Sequence, residues 1–106
     1  MKEYSELYAK SFDTLVHVAC SERLYHCTAY FSREIDGVVW LRSYNTVVAC
    51  YIPSERKVIR FGRYSNTTYQ HMRKFRKRMW EVYHLARECR EWDIEEVQCD
   101  FVNWYH

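Results

Sequence analysis

The sequence predicts an α+β domain: an antiparallel sheet of about five or six strands, with one long helix packed on one face. Three observations lead there. Short runs rich in β-branched and aromatic residues recur between turn signals from Asp13 to Gly62. One later stretch, from Thr68 to Arg90, changes to apolar spacings of three and four. The chain has 106 residues, which suits a single domain spanning 1–106. Its hydrophobic content of 48% and aromatic content of 18% supply a core, and two glycines and one proline argue against a linker-rich chain.

Taken in order, residues 2–11 can form a short helix with Tyr4, Leu7 and Tyr8 on one side. Asp13 to Cys20 reads as a first strand, with Val16 and Val18 on one face and Leu15 and His17 on the other. Ser21-Glu22-Arg23 is a polar connection. Leu24 to about Ile35 reads as a second strand, in which Tyr25, Cys27, Ala29 and Phe31 alternate with His26, Thr28 and Tyr30. Asp36-Gly37 signals a tight hairpin, because both central residues of such a turn need positive φ. Val38 to Ser43 returns as a third strand. After a break at Tyr44-Asn45, Thr46 to Ile52 makes the fourth. Pro53 to Arg56 turns the chain into a fifth strand, Lys57 to Gly62. Past the helix, Ile94 to Val102 reads as a last strand with Val97, Cys99 and Phe101 inward, and the aromatic ending Asn103 to His106 reads as a docked end.

The long helix starts among side chains that accept from free backbone N–H groups: Ser65, Asn66, Thr67 and Thr68. Thr67 with Gln70 fits a capping box. Met72, Phe75, Met79, Val82, Tyr83 and Ala86 share one face. Arg73, Lys74, Lys77 and Arg78 fall on the other, and Arg76 lies nearer the apolar stripe beside Tyr69 and Trp80. Arg73 with Lys77 and Lys74 with Arg78 are like-charge pairs four residues apart, which destabilise a helix slightly. Lys77–Glu81 is the compensating pair on offer.

Net charge is only +2, so steering of the whole molecule toward nucleic acid is weak; the charge is placed locally instead. A strongly acidic DNA mimic is disfavoured on the same ground. Five cysteines at irregular spacing, with no signal-like apolar run ahead of them, read as free and mostly buried thiols of a reducing cytosol. No stretch approaches the length of a membrane span. His17, Cys20, His26 and Cys27 lie close in sequence, but alternation along two strands separates the members of each pair, so no metal ligand is assigned. His71 has no carboxylate at a telling spacing, no glycine-rich phosphate loop exists, and the thiols lie in apolar settings. No catalytic residue and no cofactor is assigned, and the protein is expected not to be an enzyme.

Two segments carry a resemblance. Ser43-Tyr44-Asn45-Thr46-Val47-Val48-Ala49 follows an S-Y-x-T-x-V-A pattern. Tyr64-Ser65-Asn66-Thr67-Thr68-Tyr69-Gln70-His71, with Phe75 beyond, follows Y-S-x-T-T-x-x-H-x-x-x-F. The pair resembles a group of small uncharacterised proteins carried by bacteriophages and mobile elements. The resemblance implies a role against host defences, in the cytoplasm of the bacterial host, and supplies no reaction. The motif side chains Ser43, Tyr44, Thr46, Ser65, Thr67, Thr68 and His71 read either as caps that tie the helix to a neighbouring strand or as an anion site at the helix N-terminus. The expected function is binding of a host protein or ribonucleoprotein, such as a CRISPR effector, so as to block it. The alternative is a nucleic-acid binder using Arg73, Lys74, Lys77 and Arg78, with Tyr69 and Trp80 nearby.

Overall fold

The computed structural model describes residues 4–85 and 89–103. Two short helices come first, α1 (Ser5–Lys10) and α2 (Thr14–Ala19). Six strands follow: β1 (Glu22–Arg23), β2 (Ala29–Phe31), β3 (Val39–Ser43), β4 (Thr46–Ile52), β5 (Lys57–Arg63) and β6 (Glu95–Asn103). The long helix α3 (Asn66–His84) and a 3-10 turn (Glu91–Asp93) lie between β5 and β6. The strands are ordered as in the sequence, β1 to β6. All neighbours are antiparallel except β5 and β6, which α3 joins in parallel. The α+β class is as predicted; the sheet is mixed rather than wholly antiparallel. The reason is length: a return through a helix brings the chain back to the end where it started, so the next strand runs the same way.

Helices cover both faces. On one, Met72, Phe75 and Met79 of α3 pack against Phe31, Val39, Leu41, Tyr51 and Val58. On the other, Tyr4, Val16 and Cys20 pack against Trp40, Cys50, Ile59, Phe61 and Cys99. Val97, Cys99 and Phe101 therefore point away from α3, with Tyr8 stacked on Phe101 at 4.7 Å between ring centroids. A single covering helix does not fit β4, buried along Val47 to Ile52 without alternation, as strands covered on both sides are.

Other local expectations also change. Residues 14–19 are helical rather than extended: the Asp13 carboxylate accepts from the Leu15 N–H at 2.8 Å and caps the turn. Val16 points inward, while Leu15 and Val18 are exposed, which is a helical division and not an alternating one. Glu22 and Arg23, expected as a connection, form the short edge strand β1. The second strand shrinks to Ala29–Phe31, because Tyr25 turns the chain at φ +51°. The Asp36-Gly37 hairpin forms as expected, with both residues at positive φ and Ile35 bridged to Val38. Helix α3 ends at His84 rather than Arg90; Ala86 and the aromatic ending from Trp104 lie outside the described residues. Among the described residues the five cysteines form no disulfide, and four of them are buried.

Candidate functional site

Helix α3 is fixed at its start by a chain of hydroxyls. Ser65 is the N-cap, its Oγ accepting from the Thr68 N–H at 3.3 Å. The expected Thr67–Gln70 box does not form: Thr67 and Gln70 are exposed, each two residues past the positions where the cap acts, Ser65 and Thr68. The Thr68 hydroxyl meets the Ser43 Oγ at 3.2 Å, and Ser43 in turn meets His71 Nδ1 at 2.8 Å. Ser43, Thr68 and His71 are all buried. Burial, then the nearby Lys74 charge, lowers the His71 pKa and so favours the neutral ring. The two motif segments thus meet in space, at the end of β3 and the first turn of α3.

Tyr44 lies over this junction, with ring centroids 5.6 Å from His71. It holds φ +55° in the two-residue turn between Ser43 and Thr46, an uncommon conformation for a bulky side chain. A pocket of about 500 Å³ opens beside it, lined by Ser43, Tyr44, Thr46, Val48, Tyr64, Ser65, Asn66 and Thr68. His71 is not in its wall. Ser43 shares its hydroxyl between Thr68 and His71, so the junction joins helix to strand in the way caps do.

The outer face of α3 carries Arg73, Lys74 and Lys77, all exposed and without an ion pair among the described residues. Arg78, grouped with them on sequence, is half-buried and pairs with Glu81 at 3.4 Å. Glu81 also accepts from the Tyr25 hydroxyl at 2.8 Å, so it is held away from Lys77, its expected partner. The inner arginines are paired. Glu96 accepts from Arg60 at 2.6 Å and from Arg76 at 3.2 Å, and both Nε atoms of these arginines are buried without a hydrogen-bond partner among the described residues. Tyr69 and Trp80, named beside the basic face, serve the packing instead. The Tyr69 ring lies 5.2 Å from the Arg60 guanidinium and its hydroxyl reaches Gln98. The Trp80 Nε1–H donates to the Cys89 carbonyl at 2.8 Å.

Two groups near this face were not legible in the sequence. Gln70 and Glu91 join Arg73, Lys74, Arg76 and Lys77 around a cleft between α3 and the 3-10 turn. Trp92, on that turn, is 70% exposed, with the Arg90 guanidinium 5.6 Å from its ring. Among the described residues, no three His, Cys, Asp or Glu side chains are gathered as metal ligands, and no helix is long and apolar enough to cross a membrane.

These features define a small mixed-sheet α+β protein that presents a cationic helix on one face. The chain belongs to a family of unknown function (DUF8033), whose model matches residues 18–94 and so takes in β1 to β5, both motif segments and α3, but not β6. No curated protein and no solved structure matches it.

Proposed function

We propose that the protein works by binding, without catalysis of its own, and that its working surface is the outer face of α3 set against an acidic macromolecule. One observation carries this reading. Arg73, Lys74 and Lys77 stand side by side without ion pairs among the described residues, while Arg60, Arg76 and Arg78 each hold a carboxylate. Unpaired like charges on one helix face cost stability and bring no fold contact in return. The motif resemblance adds the setting: a phage or mobile element, with the partner a host defence protein or ribonucleoprotein in the bacterial cytoplasm, blocked on binding. Ser43 and His71 support the non-catalytic side of the reading, since the hydroxyl is buried and already engaged.

The test is the triple variant Arg73→Glu, Lys74→Glu, Lys77→Glu. All three side chains are exposed, so its melting temperature should match or exceed that of the wild type. In a bacterial host carrying a CRISPR system, the wild type should protect an infecting phage and the variant should not. A folded variant that protects as well as the wild type eliminates this face.

A further inference from the structure

The kind of acidic partner is narrowed by what surrounds the cations. The cleft beside α3 has a volume of about 290 Å³. Gln70, Arg73, Lys74 and Lys77 are spaced by three and four, so they form one stripe along its wall. Beneath them, Arg60 and Arg76 share the single carboxylate Glu96, which leaves positive charge in excess where solvent screening is weakest. The turn that supplies Glu91 to the cleft also carries Trp92, which is the next residue and is not itself in the cleft wall. The Arg90 guanidinium occupies one side of that indole, and the ring remains 70% exposed.

A cationic stripe answers any polyanion. A cationic stripe with an exposed indole on the neighbouring turn answers one with planar bases to stack. We infer that this face binds single-stranded nucleic acid, with successive phosphates along Arg73, Lys74 and Lys77 and an unstacked base on Trp92. Duplex bases are stacked on each other and offer no such face, while a polyanion without planar groups, such as a run of carboxylates, would use the cations and leave the indole idle. Gln70 and Glu91 have carbonyl or carboxylate oxygens, which suit a base amino group rather than a phosphate. This rests on the proposed use of the α3 face and names the chemistry it would read.

The experiment is fluorescence anisotropy of the full chain with a short labelled oligocytidylate, the matching duplex, and labelled polyglutamate as a protein-like polyanion. The single strand should bind tightest. Its log affinity should fall with log salt at a slope of about −2, from roughly 0.7 for each of three phosphates. Trp92→Ala should weaken it by roughly 5- to 150-fold, the worth of one stacked base, and Trp92→Phe should weaken it less. Trp92 is exposed, so both variants should fold, and circular dichroism checks this.

Equal binding of duplex or polyglutamate, or a Trp92→Ala loss under about twofold, overturns the inference. If no oligonucleotide binds but the triple glutamate variant still loses phage protection, single-strand recognition fails and the use of the α3 face stands. If that variant stays folded and keeps both protection and oligonucleotide binding, both readings fall.

Discussion

Phe75 and Val82 were placed on the same apolar stripe by spacing, and the structure separates them. Phe75 is fully buried between Met72 and Met79, with its ring centroid 6.5 Å from that of Phe31. Val82 is 50% exposed. Phe75→Ala leaves a cavity where α3 meets β2 and β3, and such truncations cost about 3–5 kcal/mol. A domain of this size has about 5–15 kcal/mol in total, so roughly a fifth or more of its stability would go. Val82→Ala removes little buried surface and gains helix propensity, so it should stay within about 0.5 kcal/mol of the wild type. Urea unfolding followed by circular dichroism measures both, with an unchanged slope marking a change in stability alone. Phe75→Leu, which refills part of the space, serves as the foldable comparator if the alanine variant does not accumulate. A Val82→Ala loss as large as that of Phe75→Ala would mean that α3 is rotated about its axis. A Phe75→Ala loss under about 1 kcal/mol would mean that the helix stands off the sheet.

Three further outcomes are expected. Gly62→Ala should destabilise by about 1–3 kcal/mol or more in the same assay, because its Cβ would overlap the Val102 carbonyl of β6, a backbone atom that cannot move without parting the parallel strands; a neutral or stabilising result refutes that approach. Ser65→Ala should lower stability by about 0.5–2 kcal/mol while Thr67→Ala changes little, since Ser65 is the cap; the reverse order would restore the capping box read from sequence. His71 and His84 both have pKa values lowered chiefly by burial, so their neutral forms stabilise the fold. The unfolded chain then binds protons more readily, and stability that is full above the ordinary histidine pKa of about 6.5 should be lost as pH falls through the lowered folded values. Unfolding midpoints measured through that range should show a slope that shrinks in His71→Gln; a flat profile in the wild type is the contrary result.

What the sequence made legible depended on how local the determining interaction was. The Asp36-Gly37 turn and the β4 and β5 strands rest on neighbours in the chain, and they were found to within a residue. The α2 segment was misread because Leu15, Val16, His17 and Val18 satisfy a period of two as readily as the start of a helix. Only the Asp13 cap and the position of Val16 against the sheet decide between them. The second covered face is written in the unbroken apolar run of β4, Val47 to Ile52, which a sheet covered on one side would not need. On the basic helix, spacing alone sorted outward from inward cations well for Arg73, Lys74, Lys77 and Arg76. It failed at Arg78, because Glu81 is positioned by Tyr25, a residue 56 positions away. Trp92 had no periodic context at all, so its exposure had to come from the fold.

Both ends of α3 are held by buried polar contacts, and this accounts for how a helix with a repulsive outer face stays formed. At the start, Ser43 joins Thr68 and His71 to the end of β3. At the end, the Tyr51 hydroxyl of β4 meets His84 Nε2 at 2.6 Å. Each contact is buried, so losing it would strand a polar group away from water, at a cost of about 1–3 kcal/mol. Like-charge pairs on the surface cost only a few tenths of a kcal/mol each. The two clamps, with Met72, Phe75 and Met79 between them, therefore outweigh the repulsion among Arg73, Lys74 and Lys77 several times over. The cations are held on a rigid element, spaced by the helix itself, instead of on a loop that would have to be ordered on binding. A partner meeting that face pays little conformational entropy on this side, which is the condition under which a few surface charges give useful affinity.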